Sequence, residues 1–259
     1  VLRITLSEQR YHAAINALDL ALPDRKEKSD GAAEDAFRLS IVNAAWGREG
    51  YTFLDSYLDT LVRYYGAGIN ILDFNDDPEY SRQLINDYIE RQTEKRISNL
   101  LPSGSVTRRT AFILTNAVYF KAAWMHTFDE NRTSTEPFFC LNGEENEVAM
   151  MHRTGTIGYT DEDGYETIEL PYKGGDISMV IVLPDRGAFD SIEKVVDHQR
   201  LKDTITSLRP QRVRLSMPKW EYESGFSLVR VLTELGMSTA FTEDANFSGI
   251  DGTKKLAIS

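Results

Sequence analysis

Apolar positions along the chain recur in two rhythms, every third or fourth residue in some stretches and every second residue in others. Tyr11, Ala14, Ile15, Leu18 and Leu22 keep helical spacing until Pro23. Ahead of them Thr5-Leu-Ser-Glu8 fits a capping box, in which Thr5 and Glu8 satisfy each other's orphan backbone donors. The polar stretch Asp24–Asp35 reads as a loop, Phe37–Trp46 as a strand and Gly47–Gly50 as a turn. Leu54, Tyr57, Leu58, Leu61, Val62 and Tyr65 trace a second helix, ended by Gly66. A short strand, Gly68–Phe74, leads to Asp77-Pro78, a capping residue followed by a first-turn proline. The third helix carries Leu84, Ile85, Tyr88, Ile89 and Ile97 on its inner side and runs to Leu101, where Pro102-Ser-Gly104 stops it.

Thr110–Trp124 is the most informative stretch. As a strand it carries Phe112, Leu114, Asn116, Val118 and Phe120 on one face and Ala111, Ile113, Thr115, Ala117 and Tyr119 on the other. Both faces are mostly apolar, which predicts a central strand covered on both sides. Asn116 is an amide among large apolar neighbours and requires a hydrogen-bond partner, since an unpaired buried amide costs about 1–3 kcal/mol.

Beyond it strands dominate. Phe138–Leu141, Val148–His152, Thr156–Tyr159, Glu166–Tyr172 and Ile177–Leu183 are punctuated by Asn142-Gly143, Asp163-Gly164 and Gly174-Gly175 turns. Ile177–Leu183 is nearly continuous hydrophobic sequence and reads as interior. A helical stretch, Phe189–Leu208, precedes strands at Val213–Met217 and Trp220–Tyr222. Leu228, Val231, Leu232 and Leu235 form a last helix closed by Gly236. No repeat or linker interrupts the pattern, so residues 1–259 read as one α+β domain, its large antiparallel or mixed sheet packed with helices beside smaller sheets.

A net charge of −11 argues against a nucleic-acid partner, whose binding surfaces are basic. The single cysteine, Cys140, forbids an intrachain disulfide and reads as a small apolar filler beside Phe138 and Phe139. No apolar run reaches the roughly 18 residues of a membrane span. Val1-Leu-Arg-Ile-Thr5 lacks both an initiator Met and the order of a signal peptide, so the chain reads as starting mid-domain.

Catalytic patterns are missing from the sequence. There is no G-x-S-x-G elbow, H-E-x-x-H pair or phosphate loop, and Gly66-Ala-Gly68 lacks a third glycine. His12, His126, His152 and His198 have no ligand-like spacing, and no metal or cofactor is implied. Asp73–Asp77 imitates a calcium loop, yet Pro78 and Leu84 stand where glycine and glutamate belong. Asp161-Glu-Asp-Gly164 reads as an acidic turn. Carboxylates are plentiful, and sequence alone pairs none of them. An enzyme is not expected.

Leu114-Thr-Asn-Ala-Val-Tyr-Phe-Lys-Ala-Ala-Trp124, followed by Phe128, resembles the central-strand signature of the serpins. Val148-Ala-Met-Met151, Glu169-Leu-Pro-Tyr172 and Met179–Pro184 resemble further serpin motifs, as do Phe226–Leu228, Leu235–Met237 and Ala245–Ile250, all in family order. The likeness covers essentially the whole chain. It implies a protease inhibitor: the reactive loop, once cut, inserts into the large sheet and drags the acyl-bound protease with it, a metastable, suicide mechanism. The other function it implies is a non-inhibitory carrier, chaperone or storage protein.

On this resemblance Thr110–Trp124 is the third strand of the large sheet, and the Pro78 helix crosses its front. Asn116 falls in the shutter that controls sheet opening, with its usual histidine partner beyond Ser259. Trp124 falls in the breach where the loop enters. Its Phe-Lys-Ala-Ala-Trp context, without the glycine common in animal members, resembles prokaryotic ones.

The partner implied is a serine-type, or else cysteine, protease, met by a monomer in an extracellular, periplasmic or cell-surface setting. The helix that binds glycosaminoglycans in some members has only Arg3 and Arg10 nearby, so none is expected. Asn131-Arg-Thr133 and Asn246-Phe-Ser248 are glycosylation sequons, meaningful only in a secretory eukaryotic source. A whole serpin has three further helices and a buried strand before the position of Val1. After that of Ser259 it has the fifth strand, hinge, reactive loop and terminal core strands, together about a third of the domain. The reactive bond is therefore expected outside residues 1–259. Alone, these residues are not expected to melt cooperatively, because Ile177–Leu183 would keep an open apolar edge.

Overall fold

The computed structural model describes residues 5–21, 37–221 and 227–258, which fall into two compact units. The first comprises Val1–Glu27, Arg38–Lys121 and Gly225–Ser259, and the second Lys28–Phe37 and Ala122–Ser224. The loop expected at Asp24–Asp35 lies outside the described residues, as do Leu22, Pro23 and Tyr222.

In the first unit, α1 spans Glu8–Ala21, β1 Arg38–Arg48, α2 Asp55–Tyr65, β2 Ile69–Leu72, α3 Pro78–Gln92 and β3 Phe112–Lys121. The sheet order is β2-β1-β3, with β1 parallel to β2 and antiparallel to β3. Short helical turns follow near the end, among them α6 (Val229–Leu232) and α7 (Ser248–Asp251).

Local chemistry sets most boundaries. Asp77 caps α3 by accepting the Tyr80 amide at 2.9 Å, with Pro78 in the first turn. Gly66 ends α2 at φ 58°, donating its amide to Leu61 O. α3 stops at Gln92, well short of Leu101. Glu94 and Lys95 take positive φ there, and the buried Thr93 turns its hydroxyl back to Ile89 O while accepting the Ile97 amide. A side chain that bonds its own backbone competes with further helix. α1 begins at Glu8, later than a Thr5 cap would start it, and buries no residue. Gly68–Phe74 shortens to β2, because Phe74 leaves the strand to enter the core.

One face of the sheet packs on α3. Ala44, Trp46, Phe74, Ile85 and Val106 form one buried cluster, and Val42, Ile89 and Ala117 another. The Trp46 indole N–H donates to Thr115 Oγ1 at 3.0 Å, so the buried ring keeps its polar edge satisfied.

In the second unit, β4 is Thr133–Phe139, β5 Glu145–Glu162, β6 Tyr165–Pro171, β7 Ser178–Pro184, α4 Phe189–Val195, α5 His198–Ser207 and β8 Arg209–Pro218. The order is β4-β5-β6-β7, with β8 also on β5. The strands expected at Val148–His152 and Thr156–Tyr159 are one continuous β5, 18 residues long, long enough to pair with three partners. The expected helical stretch is divided into two, with Asp197 capping α5. Trp220 lies in no strand.

Ile157, Leu170 and Met217 form the core of this unit. β7 pairs only with β6 among the described strands, and none of its residues is buried. Among the described residues this stretch therefore keeps the open apolar edge expected of residues 1–259 alone: hydrophobicity reports a need for cover without supplying the neighbour. Cys140 likewise differs from a buried filler. It is half-buried at the β4–β5 turn, beside exposed Phe138 and Phe139, and its sulfur accepts from Asn146 Nδ2 at 3.1 Å.

Candidate functional site

The site lies in the first unit, on the sheet face turned away from α3. Here β1 presents Asn43 and Ala45, and β3 presents Phe112, Leu114, Asn116 and Val118. At one end α2 covers this face. Phe53 and Tyr57 pack on Phe112 with ring centroids 5.5 and 5.9 Å away, and Ala45 is buried. Gly47 makes the approach possible, since a Cβ there would stand 2.7 Å from the Phe53 ring. Burial pushes the Tyr57 phenol up to about 12.

Toward the other end the cover stops. Leu114 is 65% exposed and Val118 53%. The expectation of a strand covered on both faces is corrected: among the described residues, one face of β3 is packed and the other open. Alternation of apolar residues shows that both faces seek burial, but not whether both obtain it.

Among the described residues β3 is also an edge strand. Arg48 N donates to Ala111 O at 3.0 Å, and hydrogen-bonded pairs alternate along an antiparallel ladder. Odd-numbered residues of β3 therefore point their backbone groups at β1. Leu114, Asn116 and Val118 point theirs at an edge that no described strand pairs.

Asn43 and Asn116 stand opposite each other in the register, and Asn116 Nδ2 donates to Asn43 Oδ1 at 2.7 Å. Asn116 is exposed, not buried as its apolar neighbours suggested, and its partner among the described residues is Asn43. Asn43 interrupts Ile41-Val42-Asn43-Ala44-Ala45 as Asn116 interrupts its own strand, and that parallel was its signal. The pair lines an open cleft of about 830 Å³ with Tyr57, Leu61, Tyr65 and His12. His12 Nδ1 and the Tyr65 hydroxyl share a hydrogen bond at 2.8 Å, tying α1 to α2. A double-mutant cycle with Asn43→Ala and Asn116→Ala is expected to give a coupling of about 0.5–1 kcal/mol in urea unfolding. Additive single effects would count against the pair.

Ile250 closes one side of the cleft, its carbonyl accepting the Leu54 amide at 2.9 Å. Asp251 holds this segment through hydrogen bonds from the Tyr51 and Thr253 hydroxyls. Burial, then the Asp251 carboxylate, push the Tyr51 phenol up to about 12. For Asp251, burial opposes ionisation, yet those hydrogen bonds outweigh it and hold the carboxyl below its ordinary value. A carboxyl lowered by folding stabilises the protein above its unfolded value of about 3.9, and that contribution is lost as pH falls through the lower folded value. Tyr51→Phe is expected to cost about 1 kcal/mol near neutrality. The difference should shrink as pH falls below the ordinary aspartate range, as measured by urea midpoints across pH.

Trp124 belongs to the second unit. It forms an isolated bridge with Tyr172 and stacks on that ring, centroids 4.6 Å apart and planes at 11°. Met125 N donates to Pro171 O and Lys173 N to Ala123 O, fixing the crossing, and the indole packs on the Ile157–Leu170–Met217 core. Among the described residues no cluster of three potential metal ligands occurs, and no helix is long and apolar enough to cross a membrane.

A free-edged β3 carrying the central-strand motif, crossed on its other face by a capped helix, agrees with what a family comparison finds. A family model described as Serpin (serine protease inhibitor) matches residues 1–259. The chain is a serpin. It is 37% identical, over 89% of its length, to a serpin-like protein of Methanosarcina acetivorans. It is 32% identical over 87% to human Serpin B3 and 34% identical over 82% to mouse antithrombin-III. These matches take in 55%, 59% and 46% of those proteins, so the chain spans about half the length of the curated relatives it matches. Among solved structures, emu ovalbumin superposes with a TM-score of 0.86 at 28% identity, over 96% of this chain and 63% of that one. The serpin fold and the α+β class expected from sequence are thereby established.

Proposed function

We propose that this serpin chain forms the body of a serine-type protease inhibitor, and that the free edge of β3 is where a cleaved reactive loop inserts. The observation that carries the reading is the run Leu114, Asn116 and Val118, whose outward backbone groups no described strand pairs and whose face no described residue fully covers. A strand added there would gain ladder hydrogen bonds of about 1 kcal/mol each net. It would also remove Leu114 and Val118 from water, each worth up to about 1.5–3 kcal/mol. Those gains supply the drive that must displace the protease before its acyl-enzyme is hydrolysed.

On this reading the Asn43–Asn116 pair is the polar latch beside the opening, and Trp124 on Tyr172 marks the breach. The partner is a target protease met by a monomer outside the cell, without catalysis by the serpin at its sheet. Residues 1–259 act within a single domain.

The test mixes the intact protein with trypsin-, chymotrypsin-, elastase- and subtilisin-like proteases. A covalent complex that survives denaturing electrophoresis is the expected result. Cleavage of the serpin without any complex across the whole panel would overturn the inhibitory reading in favour of a carrier, chaperone or storage role.

A further inference from the structure

In the second unit β8 turns two rows of side chains to opposite sides. Val213, Leu215 and Met217 face the core, so Arg212, Arg214 and Ser216 face outward, and all three are exposed. On β5 they stand opposite Thr156, Thr154 and His152, of which both threonines are exposed as well. Arg132, in the turn ahead of β4, reaches the same face: it lines a polar cleft of about 430 Å³ with Thr154, His152 and Arg214.

The charge of this face opposes that of the chain. Net charge is −11, yet β8 and residues 152–158 of β5 contain four arginines and no carboxylate. Among the described residues Arg212 and Arg214 form no ion pair. Arg132 meets Asp129 only at 3.8 Å, with both side chains more than half exposed, which is a weak contact. The carboxylates at the two ends of the face are already engaged. Glu136 accepts from the Ser134 hydroxyl at 2.6 Å and lies 2.7 Å from His152 Nε2. His152 Nδ1 and Ser216 Oγ share a hydrogen bond at 3.0 Å. Glu169, opposite Gly158, accepts from the Ser178 hydroxyl at 2.7 Å. The face is therefore rich in donors and short of acceptors.

We infer that this face docks an extended, acidic segment of a protein partner, with carboxylates at alternate residues seated on Arg212 and Arg214. Outward residues of a strand recur about every 6.6–6.8 Å, and alternate residues of an extended ligand keep the same spacing. Each guanidinium can meet a carboxylate through two parallel hydrogen bonds. Arg132 meets a third carboxylate, and the Thr154 and Thr156 hydroxyls donate to the segment's backbone carbonyls.

The size of the patch selects the ligand. A long polyanion would run beyond it onto an acidic surface, and that repulsion acts over a Debye length of about 10 Å. A short acidic segment touches the patch alone. Charged side chains seek water or a counter-ion, so this face, unlike the apolar edge of β7, does not require cover by further chain. A strand added beside β8 would lengthen the sheet at its edge and leave the outward face open.

The experiment titrates the intact protein into a fluorescein-labelled octapeptide of alternating glutamate and threonine and follows its anisotropy at low salt. Saturable binding is expected, weakened at least about tenfold in Arg212→Gln/Arg214→Gln. Arg91→Gln/Lys255→Gln removes the same charge from exposed positions of the first unit and should leave the affinity within about twofold. An octapeptide with its four glutamates in one block should bind at least about threefold more weakly, because its carboxylates miss the strand spacing. Absence of saturable binding, equal loss in the two double variants, or equal affinity for the block peptide would overturn the assignment. So would displacement of the labelled peptide by a heparin hexasaccharide at a lower concentration than by unlabelled peptide. The assay contains no protease, so its failure is distinct from failure of the inhibitory reading.

Discussion

Replacing Phe74 by alanine is expected to destabilise the intact protein by about 3–5 kcal/mol, the range for a large aromatic removed from a packed interior. Phe74 is 0% exposed and sits among Ala44, Trp46, Ile85 and Val106, where the α3 face of the sheet closes. The vacated volume cannot collapse easily. Trp46 is tethered by its bond to Thr115, and Ile85 belongs to a helix fixed at its start by Asp77. Chemical unfolding followed by Trp fluorescence measures the loss. A cost below about 1 kcal/mol would mean that this cluster does not bind α3 to the sheet. The same position shows how a short strand serves the core: β2 ends at Leu72 so that Phe74 can turn inward.

Val118→Pro separates stability from function in the proposed mechanism. Val118 points its amide away from β1, so proline there breaks no β1–β3 ladder bond, and an edge strand tolerates it. An incoming strand, in contrast, would meet a missing donor and the pyrrolidine ring. Losing even one or two ladder bonds of about 1 kcal/mol each slows insertion by roughly tenfold against deacylation. Protease mixed with the variant is therefore expected to cut it and escape, with the yield of covalent complex falling at least about tenfold. Unchanged complex yield with unchanged stability would remove the β3 edge from the mechanism. Ala117→Pro is the contrast, because Ala117 faces β1 and the core and its substitution should unfold the sheet.

Much of the first unit was legible because its boundaries are local. Asp77 and Pro78 are adjacent residues acting on the next turn, and Gly66 supplies a left-handed conformation that costs most other residues energy. The end of α3 was less legible. Ile97 continues the apolar pattern past Thr93, and only the folded chain shows Thr93 closing on Ile89 while Ile97 packs from a turn. Periodicity registers where an apolar residue belongs, and a turn can deliver it as well as a helix.

The candidate sites divide along the same line. Alternation in residues 110–124 and the order of the serpin motifs determined a strand and a family from sequence alone, because period and motif are properties of neighbouring residues. Among the described residues tertiary structure decided that β3 is an edge with one open face, that Asn116 meets Asn43 across 73 residues, and that His152 joins Ser216 across 64. Those outcomes depend on strand register and on which element covers which face. A pattern of apolar residues specifies the demand for partners, while only the assembled sheet selects them.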